Sequence, residues 1–154
     1  MKLDKTNWLI LEELQKNARM PLTEISRKVG ISSPAVSERI LKMEDAGIIE
    51  GYKANINLKK IGYGMGVFIS AKIRFGQVDK FHEHIQQTPE VSECYKLTGN
   101  DCLLIRANVK DIEHLEKLNG VLSHFGELTT SLVLSAVVDK RIFSRDADTL
   151  KIVS

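Results

Sequence analysis

The chain has 154 residues, 43% hydrophobic and 27% charged, with a formal net charge of +2. That is globular composition, enough for one medium domain or two small ones. No stretch approaches the run of about 18 apolar residues that a membrane span needs, and two cysteines, Cys94 and Cys102, are too few for a disulfide framework. The first residues, MKLDKTNW, lack an apolar core of signal-peptide length, so a cytoplasmic protein with reduced thiols is expected. Charge is unevenly placed. Residues 1–60 hold 11 Lys and Arg against 8 Asp and Glu, and residues 61–154 hold 11 against 12. A slightly basic first part on a neutral body points toward a nucleic-acid partner without establishing one.

Asp4 is an N-cap for a first helix that carries Trp8, Ile10, Leu11 and Leu14 on one face. Asn7 stands at its third position. The helix should end between Asn17 and Arg19, because Pro21 biases Met20 toward extended backbone. Residues Leu22 to Gly47 then read as two short helices around a tight turn. Ile25 and Val29 lie four apart, Gly30 supplies the left-handed turn, and Ile31 points back to the core. Ser32 caps the next helix and Pro34 sits in its first turn. Val36, Ile40 and Met43 form its buried stripe. The predicted core is Leu11, Leu14, Ile25, Val29, Ile31, Val36, Ile40 and Met43.

The outward face of that third helix is short and polar: Ser33, Pro34, Ser37, Glu38 and Lys42, with Arg39 on its flank. This is the layout of a helix-turn-helix whose second helix enters the DNA major groove. Ser33, Pro34, Ser37, Glu38 and Arg39 are expected to meet bases or adjacent sugar-phosphate, and Lys42 to hold phosphate. The alternative is a helical hairpin packed in a bundle, but no second apolar stripe supports burial on both sides.

After Gly47 the stretch IIEGYKANIN is rich in β-branched and aromatic residues and predicts a strand, either a small wing or the strand leaving the head. GYGMG, at Gly62–Gly66, lacks the spacing of a phosphate loop and reads as the end of a linker. Residues 67–75 alternate, with Val67, Ile69, Ala71, Ile73 and Phe75 on one face. A helix follows over 78–87, then a strand over 91–98, a turn at Gly99-Asn100-Asp101 and a strand over 102–109. Asp111 caps a helix with Ile112, Leu115, Leu118 and Leu122, and residues 127–138 form the longest strand. The order βαββαβ is ferredoxin-like, with both helices on one side of a four-stranded sheet. Its open face, carrying Phe68, Ser70, Cys102, Leu104, Val133 and Val137, calls for a second copy or another partner.

The fold class is therefore α+β. A three-helix winged helix-turn-helix spans 1–50, a strand and linker 51–65, and a ferredoxin-like domain 66–140. Residues 141–154 are a tail or an arm. An enzyme has little to build on: His82 and His84 face different ways, His114 and His124 lie near opposite ends of one helix, and no metal-ligand or nucleotide-loop spacing appears. No cofactor and no metal are expected. A protein-interaction scaffold that never reads DNA is the remaining rival.

Several landmarks together resemble one family. They are Leu14-Gln15-x-Asn17-Ala18-Arg19, Val29-Gly30-Ile31-Ser32, Glu38-Arg39-Ile40, Gly47-Ile48-Ile49-x-Gly51-Tyr52 and Leu58-x-x-Ile61-Gly62, followed by Thr98-Gly99 and Thr129-Thr130-Ser131. The chain resembles the leucine-responsive, or Lrp/AsnC, transcription regulators over nearly its whole length. The resemblance implies binding to double-stranded DNA and a homodimer built through the sheets, often assembled into tetramers or octamers. It also implies an amino-acid effector held between dimers near the middle turn, here Gly99, Asn100 and Asp101, faced by Thr129, Thr130 and Ser131. Two positions depart from the family pattern. Cys102 stands where many members carry Asp, and Asn7 where the first helix often has Asp.

Overall fold

The computed structural model describes residues 1–98, 103–139 and 141–145. The described chain divides into two compact units, one of Met1–Asn55 with the described residues from Val138 to Arg145, the other of the described residues of Ile56–Val137.

Three helices make the first unit: α1 (Lys5–Lys16), α2 (Leu22–Val29) and α3 (Ser33–Asp45). Asp4 caps α1, its Oδ1 accepting from the Asn7 N–H at 2.7 Å. Ser32 caps α3 through the Ala35 N–H at 3.4 Å. Between α2 and α3 the chain turns at Gly30, with φ of 77°. A side chain there would meet nothing within 4 Å, so the backbone angle rather than space calls for glycine. Ile10, Ile25, Val36 and Met43 are fully buried, and Leu11, Leu14, Val29, Ile31 and Ile40 pack around them. Complete burial of such side chains is worth about 1.5–3 kcal/mol each.

The strand expected after α3 is not formed: among the described residues of this unit there is no strand. The N–H groups of Ile48 and Ile49 both donate to the Met43 carbonyl, at 2.8 and 3.1 Å. They close the end of α3 instead of entering a ladder. Residues with strand propensity but no partner strand do not make a sheet.

The second unit runs through a 3₁₀ turn at Leu58–Ile61 into β1 (Met65–Ile73), α4 (Val78–Gln86), β2 (Val91–Lys96), β3 (Leu103–Val109), α5 (Ile112–Leu122) and β4 (Gly126–Leu132). The strand order is β2-β3-β1-β4, with every neighbouring pair antiparallel. Val67, Ile69 and Ala71 pair with Ala107, Ile105 and Leu103. These six form the floor on which Phe81 and Ile85 of α4 and Leu118 and Leu122 of α5 pack. The alternation read from the sequence holds through Ile73 and fails at Phe75, which is fully exposed. β1 has ended by then, and the Arg74 N–H turns to the Phe125 carbonyl.

The last strand is shorter than expected. β4 stops at Leu132, opposite Val67, and the Val133 N–H makes one more bond, to the Gly66 carbonyl. β1 begins at Met65, so β4 has little partner left beyond that point; Leu134 and Val137 are almost fully exposed. At the other end of β4 the approach is close. A Cβ on Gly126 would lie 2.1 Å from the Lys72 carbonyl oxygen, so only glycine fits.

Candidate nucleic-acid interface and effector site

Helix α3 presents its sequence-predicted face as expected in part. Pro34, Ser37, Glu38 and Lys42 are exposed, and Ser33 beside the cap is half-buried. Pro34, Glu38 and Lys42 recur at four-residue intervals and share one stripe, with Ser33 and Ser37 alongside. The α3 N-terminus, with N–H groups that have no helical acceptor, lies at the start of that stripe and favours a phosphate. Lys42 Nζ is 2.6 Å from Glu38 Oε1, an exposed i,i+4 pair. The hydrogen bond from Lys42 holds the Glu38 carboxyl below its ordinary range.

Arg39 behaves differently. Its Nη1 donates to Asp4 Oδ2 at 2.7 Å and to Asn7 Oδ1 at 2.8 Å. The guanidinium on α3 is therefore engaged by the N-terminus of α1. Asn7 is the buried polar residue of the head, 3% exposed. Its backbone N–H is spent on Asp4 and its side-chain oxygen on Arg39. The Asp4 carboxyl is held below its ordinary value, first by the Asn7 N–H and then by Arg39. Sequence spacing placed Arg39 on the flank of the DNA-facing stripe but gave no sign of its partners, which lie 32 and 35 positions away.

A second polar tie joins α1 to α2. Glu13 accepts from Lys16 and Lys28, both at 2.6 Å, and these bonds lower its pKa. A third fixes the segment after α3, where the Tyr52 hydroxyl donates to Glu44 Oε1 at 2.7 Å. Burial and then that bond push the phenol up to about 12.

In the second unit the three hydroxyls of Thr129, Thr130 and Ser131 within β4 do not share a face. Thr130 pairs with Ile69 on the helix side, and its Oγ1 donates to Asn119 Oδ1 of α5 at 3.0 Å. Thr129 and Ser131 pair with Ser70 and Phe68 and lie on the helix-free side. Gly99, Asn100 and Asp101, expected to face them, lie outside the described residues, as does Cys102. The open face carries Phe68, Ser70, Leu104 and Arg106 beside Thr129 and Ser131. Among the described residues no group of three or more His, Cys, Asp or Glu side chains is placed to hold a metal ion.

A capped helix-turn-helix followed by an antiparallel βαββαβ unit defines a DNA-binding regulator with a separate sheet domain. The comparisons with known proteins agree. Residues 3–50 match the winged helix-turn-helix DNA-binding model and residues 66–143 the Lrp/AsnC ligand-binding domain. The Bacillus subtilis HTH-type transcriptional regulator LrpC is 30% identical over 140 residues, covering 91% of this chain and 97% of that protein. Its solved structure superposes with a TM-score of 0.85 over 92% of this chain and all of the other. A proline dehydrogenase transcriptional activator of Rhodobacter capsulatus is 32% identical over 145 residues, 90% of this chain and 94% of that one. A Neisseria meningitidis transcriptional regulator, solved as a complex with L-Met, is 30% identical with a TM-score of 0.86, covering 94% and 98% of the two chains.

The chain belongs to the Lrp/AsnC family of HTH-type transcriptional regulators. It is a DNA-binding transcriptional regulator and not an enzyme. No described helix is long and apolar enough to cross a membrane.

Proposed function

We propose that this protein is a cytoplasmic regulator that binds DNA as a homo-oligomer and changes its affinity or assembly with an amino-acid-type effector. The observation that carries the reading is the pairing of an exposed, polar, N-capped α3 with a sheet whose second face has no helix over it. Phe68 and Leu104 on that face lose water when a second copy covers them. In the dimer two α3 helices reach successive major grooves. Ser33, Pro34, Ser37 and Glu38 lie against base edges and sugar-phosphate, and Lys42 holds a phosphate.

The effector site we propose comprises Gly99, Asn100 and Asp101 with Thr129, Thr130 and Ser131, between dimers that assemble as tetramers or octamers. Thr129 and Ser131 offer hydroxyls from the open face. Thr130 acts from the other side by fixing α5 through Asn119. A zwitterionic amino acid needs donors for its carboxylate and acceptors for its ammonium, and this set supplies both. The L-Met complex of the Neisseria regulator supports an effector of this class. An effector acts here only if it binds one assembly better than another.

The test is fluorescence anisotropy of labelled DNA from upstream of the protein's own gene, at two salt concentrations, with and without L-Met or a pool of amino acids. Tight binding that weakens with salt and responds to the pool is expected. Binding that ignores every amino acid would remove the effector half of the proposal.

A further inference from the structure

The first unit carries a groove of about 510 Å³ that the DNA-facing stripe does not use. Trp8, Leu11 and Leu14 of α1 form one wall and Ile48 and Ile49 the other, with Phe143 at its edge. Phe143 is held there by one side chain. Gln15 Nε2 donates to the Phe143 carbonyl at 2.9 Å, and Gln15 Oε1 accepts the Phe143 N–H at 2.9 Å. The same nitrogen also donates to the Leu11 carbonyl at 3.2 Å. A carboxamide nitrogen has two hydrogens. One is spent on α1 itself and orients the group; the other, with the oxygen, meets both polar backbone groups of a single residue. That is how a neighbouring strand reads a backbone, performed here by one glutamine. It recognises extended chain and not a particular side chain.

We infer that the edge of this groove is a docking site for peptide backbone and that its occupant is the chain's own segment Arg141–Ser144, seated through Phe143. The segment is a latch on the DNA-binding head. It holds α1 beside the residues that close α3, where Ile48 and Ile49 bond to Met43. The segment belongs to the same compact unit as the three helices and acts there as a brace. Releasing the brace loosens the setting of α3 and lowers DNA affinity. This last consequence rests on DNA binding by α3, whereas the docking itself does not.

The test uses the full chain and hydrogen exchange at single amides, comparing wild type with Gln15→Met, which keeps the length and apolar stem but removes both bonds. Far-UV circular dichroism checks that the variant is folded. Gln15→Glu is the second variant: it keeps an acceptor for the Phe143 N–H but removes the donor to the carbonyl. The Phe143 amide is expected to be protected in wild type, to exchange about tenfold faster in Gln15→Met and to show an intermediate rate in Gln15→Glu. The Ile48 and Ile49 amides should speed up with it, and DNA affinity of Gln15→Met should fall several-fold. An unprotected Phe143 amide in wild type, or equal rates in wild type and Gln15→Met, would overturn the docking site. Protection that rises with protein concentration would assign the segment to a neighbouring copy and overturn the intrachain latch. Faster exchange with unchanged DNA affinity would overturn the coupling, and DNA binding absent from wild type as well would point to the functional reading, not the latch.

Discussion

Among the described residues the sheet unit buries eleven apolar residues in one cluster, whereas the helical head buries four and surrounds them with partly exposed neighbours. The head compensates with polar ties at its margins: Arg39 to Asp4 and Asn7, Glu13 to Lys16 and Lys28, Tyr52 to Glu44, and Gln15 to Phe143. A small three-helix unit has little interior to fill, so directional bonds fix the angles between its helices. The sheet unit sets its geometry by ladder register and close packing. The two should therefore fail in different ways, the sheet to lost volume and the head to lost hydrogen bonds.

The largest effect is expected from Phe81→Ala. The ring is fully buried and meets Phe125 edge-on, with centroids 5.5 Å apart. Truncation leaves a cavity between α4 and the sheet and should cost about 3–5 kcal/mol in urea unfolding. A loss below about 1 kcal/mol would show that the sheet unit does not depend on this packing.

Arg39→Ala comes next and belongs to the head. It releases the exposed Asp4 and strips the partner from the buried Asn7 oxygen, and a bond from a charged group to such an atom is worth about 1.5–3 kcal/mol. Stability should fall by that amount, and DNA affinity should fall with it because α3 loses its tie to α1. The salt dependence of binding separates this positioning role from direct contact. The slope of log affinity against log salt should stay as in wild type; a slope smaller by about one would make Arg39 a phosphate contact.

A pH experiment sharpens the same contrast. The folded Asp4 carboxyl is held below its ordinary value of 3.8 by the Asn7 N–H and by Arg39. A carboxylate with a depressed folded pKa adds stability that is complete above the unfolded value. That stability is lost as pH falls through the folded one. The head should therefore weaken below about pH 4, and Asp4→Asn should flatten that part of its stability profile. An unchanged acid limb in Asp4→Asn would mean that other carboxylates, such as Glu13, govern it.

What the sequence disclosed divides along the same line. Caps and periodicity are local, so Asp4, Ser32, Asp111, the turn at Gly30 and the order βαββαβ could all be read in advance. The departures have separate causes, some local and some set by partners far along the chain. IIEGYKANIN has strand-forming residues, but Ile48 and Ile49 spend their N–H groups on Met43. Residues 127–138 look like one long strand, but β4 ends opposite the start of β1. Thr129, Thr130 and Ser131 read as one cluster of hydroxyls, although alternation along a strand sends Thr130 to the opposite face from its neighbours. Nothing near Arg39 in sequence announced its bonds to Asp4 and Asn7. The Gln15–Phe143 pair spans 128 positions and left no local mark.

The smallest expected effect on stability concerns the stripe that should meet DNA. Glu38 and Lys42 form an exposed pair whose side chains are 65% and 60% accessible. Such exposed pairs contribute little to stability, so Lys42→Ala should leave unfolding almost unchanged. Its effect on DNA binding should be distinct. A phosphate approaching α3 competes with Glu38 for Lys42, and the released ammonium displaces a counterion from the duplex. Lys42→Ala should then lower affinity on all sequences alike and reduce the salt slope by about one. Glu38→Ala frees the lysine and removes a carboxylate from a surface that faces phosphates, so it should raise affinity for random DNA. If Glu38 also accepts from a cytosine amino group, the same variant should lose preference among operators. Measuring both single variants and the double variant on operator and random DNA resolves the pair. Additive effects would show that Glu38 and Lys42 act independently, whereas a Lys42→Ala loss that grows when Glu38 is absent is expected if the carboxylate restrains the lysine until DNA arrives.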